Sequence, residues 1–357
     1  MDARYSRQLV LPGFGEAAQA KLAAARVLVI GAGGLGSAVL PALAAAGVGS
    51  AGVGAIGIVD DDLVEVSNLH RQTIHGTEDV GNFKTTSAVE SLRAINPGVS
   101  AIPFEQRLTN ENALELFNQF DLIVDGSDNF ATRYLAADAA TIARKPIVWG
   151  AVSQYGGQAS VTVVGGPCYR DLFPTPPPAG SVESCEVGGV LPTTVAVIGS
   201  IMATEVIKLL TGVGTPLVGR VSTYDALSGH FRELEFKRSS EPVSELIDYA
   251  AFCGLVETDD VTPVQLGAMQ SAKLIDVREQ WEAEIAFLPG ALLIPLSTLQ
   301  GAIAQLDRRE EYIVYCHSGV RSKYALAMLR DAGLRVRHLA GGIDAWAREV
   351  DSTMARY

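Results

Sequence analysis

Cysteine is scarce in this chain of 357 residues: there are four, Cys168, Cys185, Cys253 and Cys316, and no C-x-x-C pair among them. That spacing excludes a disulfide framework and fits free thiols in a reducing cytoplasm. Positive charge is also in deficit, with 28 Lys and Arg against 40 Asp and Glu and a formal charge of −12. A general nucleic-acid binder is excluded, because neutralising phosphates needs clustered cations. Any anionic ligand must be held by a local basic pocket working against the global field, whereas a partner with a basic surface is easily accommodated. No run of about 18 apolar residues is free of charges or breaks, so no membrane span is expected. The opening "MDARYSRQ" has no apolar core, and no secretory signal is expected.

Hydrophobic residues make up 48 % and charged ones 19 %, the balance of a folded globular chain. Its length allows two domains. "ARVLVIGAGGLGSAVLPALAAAGVG" reads as strand, glycine turn and helix, with Val27 to Ile30 a buried strand and Ser37 to Ala46 helical. Pro41 is then expected in that helix's first turn or two. "AIGIVD" (Ala55 to Asp60), "FDLIVDGSDN" (Phe120 to Asn129) and "KPIVWGAV" (Lys145 to Val152) repeat the strand-then-loop pattern with helical stretches between. Alternation of this kind predicts a parallel doubly wound sheet, an α/β fold of Rossmann type.

Between Gly165 and Gly189 a Pro/Gly-rich stretch predicts an irregular loop of functional length. A long helix follows over Pro192 to Gly212, then strands near Arg220 to Tyr224 and Phe231 to Phe236. Residues 241–261 read as a linker. It separates a first domain over 1–240 from a small α/β domain over 262–357, in which "KLIDVRE" and "EYIVYC" are strands and "RSKYALAMLRDAG" a helix.

Gly31, Gly33 and Gly36 form G-x-G-x-x-G after a strand, which allows phosphate to approach a helix N-terminus. On that motif alone, a nicotinamide oxidoreductase is the leading reading, with Asp60 on a ribose. The residues beyond Asp60 decide otherwise. "SNLHRQ" (Ser67 to Gln72), "VGNFK" (Val80 to Lys84) and "DGSDNFATR" (Asp125 to Arg133) place Arg71, Lys84, Asp128 and Arg133 after successive elements of one sheet. Cations with a carboxylate near a nucleotide suit adenylyl transfer, Asp128 holding Mg²⁺ or orienting the nucleophile. Hydride transfer has no use for them.

In order along residues 4 to 236, "RYSRQ…GAGGLG…VDDD…SNLHRQ…K…DGSDN…R" resembles the ThiF/MoeB-like, ubiquitin-activating-like adenylyltransferases that act on small ubiquitin-fold sulfur carriers. The resemblance implies ATP- and Mg²⁺-dependent adenylation of a carrier's C-terminal Gly-Gly end, inside a homodimer. It implies Gly34 and Asp60 on the adenosine, and Ser67, Asn68, Leu69, His70 and Arg71 with Lys84 on the phosphates. It also implies Asp128 and Asn129 at the metal and α-phosphate, and Arg7 reaching in from the neighbouring subunit.

"CHSGVR" gives C-x4-R, Cys316 to Arg321, between an apolar strand and a helix. Such a loop turns backbone N–H groups inward as an anion nest, and with Arg321 it should favour a thiolate or persulfide. With "LIDVRE", "LPGALLIPL" and "HLAGGIDAW", it resembles the rhodanese domain over residues 262 to 350, which implies that Cys316 carries a sulfane sulfur. The donor would be thiosulfate or a cysteine desulfurase. By the first resemblance, Cys185 in "VESCEVGG" links covalently to the carrier or resolves an acyl disulfide.

Two departures stand out. Many relatives hold zinc with two C-x-x-C pairs, but here "CYRD" keeps Cys168 and has Asp171 in the second place, so no zinc is expected. "AGVGSAGVGA" (Ala46 to Ala55) doubles a single "AGVG", and the triple Asp60, Asp61, Asp62 leaves open which carboxylate takes the ribose. The carrier's pathway stays open too: molybdenum cofactor, thiamin, cysteine, tRNA thiolation or a natural product. Two other classes remain beside this reading, the oxidoreductase with a redox cysteine domain and a carrier-binding module with a decayed site.

Overall fold

A computed structural model describes residues 3–177, 188–239, 241, 243–253, 260–269 and 272–357. The chain divides into two compact units, the first made of Met1–Thr175 with Gly188–Tyr249 and the second of Pro176–Val187 with Ala250–Tyr357.

In the first unit the β-branched runs form strands β1 (Arg26–Ile30), β2 (Ala55–Val59), β3 (Ala101–Phe104), β4 (Leu122–Asp125) and β5 (Ile147–Ser153), all parallel in the order β3-β2-β1-β4-β5. The strand order turns back between β1 and β4, so the loops leaving β1, β2 and β4 converge at the carboxyl edge, where doubly wound sheets bind ligands. The sheet then continues antiparallel through β6 (Gly156–Thr162), β7 (Arg220–Asp225) and β8 (His230–Glu235). The β7–β8 strands match expectation. β6 is an addition, hidden in the sequence by Gly156 and Gly157, the second of which lies close against Ile198.

The first helix of the doubly wound half runs Gly34–Ala46, so Pro41 lies in its interior and not in the first two turns. The ring costs the hydrogen bond to Ser37. The doubled "AGVG" makes a surface turn, in which Val48 is buried and Val53 exposed. The Pro/Gly-rich stretch is not wholly irregular either: Tyr169–Leu172 is one helical turn, capped by Asp171, whose carboxylate accepts the Cys168 and Ser239 N–H groups. The stretch read as linker is partly anchored. Asn110 donates to the Ile247 carbonyl, and the buried Tyr249 hydroxyl donates to Asp138.

Pro192–Thr211 spans 20 residues and is long and apolar enough to cross a membrane. Here it is a core helix, with Val195, Ile198, Met202 and Val206 buried and Gly199 close against Ala38. Its buried Glu205 accepts the Leu217 N–H.

The second unit is an all-parallel sheet in the order β11-β10-β12-β13-β9, built from β9 (Asp260–Val261), β10 (Lys273–Asp276), β11 (Leu292–Leu293), β12 (Glu311–Tyr315) and β13 (Arg335–Leu339). Cys316 follows β12 at the carboxyl edge, ahead of the helix Val320–Asp331.

Candidate active sites

The glycine turn is shaped by close approach. Gly31 has φ +90°, and a Cβ on Gly36 would lie 2.2 Å from the Gly31 carbonyl oxygen. Ala32 is clamped from both sides: its N–H donates to Asp60 Oδ2 at 2.8 Å, and its carbonyl accepts from His75 Nε2 at 2.8 Å. Because that carbonyl can only accept, Nε2 carries the proton, and Nδ1 lies 2.8 Å from Ser87 Oγ, placed to accept its proton in the neutral ring. Burial lowers the His75 pKa to the same effect.

Asp60 has both oxygens engaged, Oδ2 with Ala32 and Oδ1 with the Asp62 N–H at 2.9 Å. Burial raises its pKa, with Lys84 pulling the other way. It holds the loop. Asp62 instead is open to solvent and receives the Lys84 ammonium at 2.7 Å. A backbone bond from the Lys84 N–H to the Asp62 carbonyl fixes that pairing. Burial works against the charge on Lys84, but Asp62, Asp60 and the more distant Asp128 outweigh it and hold its pKa above the usual lysine value.

On the same edge, Ser67 to Arg71 form a tight turn. Buried Asn68 accepts the Glu65 N–H, while Ser67 carbonyl oxygen accepts from Arg71 and sits 3.1 Å from His70 Nδ1. Leu69 is half-buried, and the Arg71 stem lies against Gly34. Gly33 faces the buried Gln72. After β4, Asp128 and Asn129 are exposed, and Asn129 caps the helix Phe130–Ile142 by accepting the Thr132 N–H.

Arg133 departs from expectation. It is buried behind this loop, donating to the Ser127 carbonyl at 2.9 Å and bonded to Tyr169. It braces the Asp128 loop instead of facing a ligand. Buried Asp125 accepts the Ser127 N–H and completes the brace. Arg7 lies exposed on the short helix Ser6–Leu9, apart from any of these contacts. Asp60, Asp61 and Asp62 carboxylates lie within 4.8 Å of one another, with Arg107 beside Asp61. His75, Asp125 and Ser127 were not singled out from sequence, and Asp62 was named only as an open alternative to Asp60 for the ribose. Only "DDD" and the flanks of the quoted motifs hinted at them.

In the second unit, Cys316 is 1 % exposed. Its Sγ receives the Gly319 N–H at 3.1 Å and faces Ser322 Oγ at 3.5 Å. The far side of the loop is gripped by the helix Gly342–Glu349, whose Ile343 and Asp344 N–H groups donate to the Cys316 and His317 carbonyls. A Cβ on Gly342 would lie 2.3 Å from the His317 carbonyl oxygen, which explains the double glycine. Arg321, expected beside the sulfur, is also bonded in bidentate fashion through its guanidinium to buried Glu282. Burial opposes the Glu282 charge, yet Arg321 and the Glu279 N–H outweigh it and lower its pKa. The Tyr357 hydroxyl donates to the same carboxylate and receives Arg278 at 2.6 Å. The Tyr357 ring lies 4.4 Å from that of His317. Cys253 is buried, Cys168 is half-buried, and Cys185 falls outside the described residues.

One unit is thus a doubly wound domain with a cation–carboxylate cluster at its switch point, and the other a parallel α/β domain with a cradled cysteine. Residues 5–244 match the ThiF family and residues 262–349 the rhodanese-like domain. The chain is 47 % identical over 377 aligned residues, 99 % of itself and 95 % of the relative, to a probable adenylyltransferase/sulfurtransferase MoeZ of Mycobacterium tuberculosis. It is 50 % identical over 266 residues, 71 % of itself and 96 % of the relative, to the sulfur carrier protein adenylyltransferase of Thermus thermophilus. The E. coli MccB structure with ATP shares the fold at TM-score 0.60 and 21 % identity, over 68 % of this chain and 74 % of that one. The chain therefore belongs to the ThiF family, in the branch that joins an adenylyltransferase to a rhodanese-like sulfurtransferase domain.

Proposed function

We propose that this chain adenylates the C-terminal carboxylate of a ubiquitin-like sulfur carrier ending in Gly-Gly, using ATP and Mg²⁺, and then converts it to a thiocarboxylate. The observation that carries the reading is the union in one chain of the Arg71–Lys84–Asp128 edge with the Cys316 cradle. In the first step the carrier carboxylate attacks the α-phosphate and pyrophosphate leaves. Gly33, Gly34 and Gly36 admit the nucleotide, while Arg71 and Lys84 offset phosphate charge. Asp62 beside Lys84 is the ribose partner, since Asp60 is spent on the loop. The exposed Asp128 offers the hard oxygen donor that Mg²⁺ takes, and Mg²⁺ supplies charge neutralisation on the triphosphate.

In the second step the Cys316 persulfide attacks the acyl-adenylate carbonyl and AMP leaves, giving an acyl disulfide. A second thiol, the role we give Cys185, attacks the Cys316-side sulfur and releases the carrier thiocarboxylate. The resulting disulfide needs a thiol reductant to reset. Thiosulfate or a cysteine desulfurase supplies the sulfane sulfur. We place the enzyme in the cytoplasm as a homodimer, with Arg7 reaching the neighbouring site.

Incubation with Mg-ATP, thiosulfate and a panel of diglycine-ended carriers, read by carrier mass, tests this. The expected result is replacement of one carboxyl oxygen by sulfur on one carrier, lost in Cys316→Ala while adenylation persists. No adenylated carrier from any panel member would sink the reading.

A further inference from the structure

His338 is 1 % exposed on β13, directly behind the Cys316 loop. Its Nε2 lies 2.9 Å from the Gly319 carbonyl oxygen and its Nδ1 2.9 Å from Asp260 Oδ1, the residue it faces in the β13–β9 register. A carbonyl can only accept, so Nε2 donates to Gly319 while Nδ1 faces the Asp260 carboxylate, which orients the ring. Gly319 is the residue whose N–H reaches Cys316 Sγ. It sits at φ +101°, a conformation that side-chain-bearing residues rarely adopt. Three donors reach its carbonyl: His338, Ser322 Oγ at 3.0 Å and, more weakly, the Lys323 N–H at 3.3 Å. A Cβ on Gly319 would come within 3.3 Å of His338 Nε2, so imidazole and loop are in direct contact.

We infer that His338, oriented by Asp260, is a positioning residue for sulfur transfer: it pins Gly319 so that its N–H stays aimed at the anionic sulfur of Cys316. Arg321 is committed to Glu282, and the helix Gly342–Glu349 grips the Cys316 and His317 carbonyls. His338 and Ser322 are the side chains that donate to the loop residue whose amide touches Sγ, and His338 makes the shorter bond and reaches in from a separate strand. Without the His338 donor the Gly319 carbonyl keeps only Ser322 Oγ and the longer Lys323 bond, and glycine's free backbone lets the N–H drift from the thiolate and the persulfide alike. The inference rests on Cys316 carrying the sulfur, which Cys316→Ala tests separately in the same assay.

The test uses the full chain and the transfer of sulfur from thiosulfate to cyanide. The Cys316 thiolate takes the sulfane sulfur, breaking the S–S bond of thiosulfate and releasing sulfite. Cyanide then removes the terminal sulfur as thiocyanate and returns the thiolate. In His338→Gln the carboxamide N–H is drawn to the Asp260 carboxylate and lost to Gly319. We expect kcat to fall about tenfold or more, with KM for thiosulfate unchanged to within about twofold. Adding Asp260→Asn replaces that carboxylate with a carboxamide that donates to the Gln oxygen and returns the Gln N–H to Gly319, so the double variant recovers most of the loss. A wild-type kcat in His338→Gln, or a double variant no faster than it, overturns the inference. If His338→Gln does not fold, the pair Asp260→Asn/His338→Gln and Asp260→Asn/His338→Leu carries the test, since both leave no buried charge unpaired. The Gln form should then be about tenfold faster, and equal rates overturn the inference. If Cys316→Ala leaves transfer intact, the Cys316 reading fails first.

Discussion

At the scale of single residues, the nucleotide loop depends on groups that touch no ligand. Ala32 is held by Asp60 on its N–H and by His75 on its carbonyl. His75 is neutral in the fold and its pKa is lowered by burial from an ordinary 6.5. The unfolded chain therefore binds a proton that the folded one refuses as pH falls below 6.5, and stability drops over that window. His75→Gln cannot take the proton. We expect its denaturation midpoint to sit below wild type at pH 7.5 and the gap to narrow by pH 5.5, read as the difference between urea curves. A constant gap would deny His75 the linkage. Lys84 is the buried cation of the same edge. Lys84→Ala should cut the rate of carrier-dependent ATP–pyrophosphate exchange about 10²–10³-fold while leaving thiosulfate–cyanide transfer at the wild-type rate.

At the scale of elements, the helix Pro192–Thr211 carries the first site's floor. A Cβ on Gly199 would lie 2.5 Å from the Ala38 Cβ and 3.0 Å from the Leu35 carbonyl oxygen. A Cβ on Gly34 would likewise lie 2.9 Å from Val195. Two helices that meet through glycines cannot be spread without tilting the loop that Gly31 to Gly36 form. Gly199→Val is expected to cost about 1–3 kcal/mol and to raise KM for ATP, measured by thermal denaturation and exchange kinetics. Deletion of Ser50–Gly54, which restores a single "AGVG", should cost under about 1 kcal/mol. The second copy is a surface turn with Val53 exposed, although its Ala51 N–H bonds Ala23. A larger loss would mean that the turn supports β2.

At the scale of the whole molecule, two chemistries share one chain because the second consumes what the first makes. The first unit yields a mixed anhydride that water destroys, and the second holds a sulfur nucleophile. Tethering raises the effective concentration of donor at acceptor, typically to the millimolar range. Residues 1–249 and 260–357 produced separately should keep carrier adenylation and thiosulfate–cyanide transfer respectively. At micromolar concentration their joint thiocarboxylate yield should fall at least about tenfold below the intact chain. Equal yields would remove the tether from the mechanism. The acidic balance of −12 suits a carrier that presents basic groups around its tail, with association weakening as salt rises.

Much of this was legible along the chain, because local rules carry it. Period and glycine placement announced the β1 turn, the parallel strands and the Cys316 loop, since a phosphate or persulfide cradle needs backbone N–H groups and glycines at fixed spacing. Order along the sequence was enough to gather Arg71, Lys84 and Asp128 on one edge, since strand topology maps successive loops to the same end. Partnership was not legible. That Asp60 braces Ala32 while Asp62 meets Lys84, that Arg133 is a buried strut, that Glu282 claims Arg321, and that His338 reaches Gly319 all depend on which side chains meet across distant segments. β6 was missed because strand glycines hide a β signal that only pairing with β5 and β7 restores. The sequence by itself determined the two folds and the chemistry each can perform. The tertiary structure alone decided which of the conspicuous charges stay open to a ligand, because hydrogen bonding and burial spend some of them on holding the loops in place.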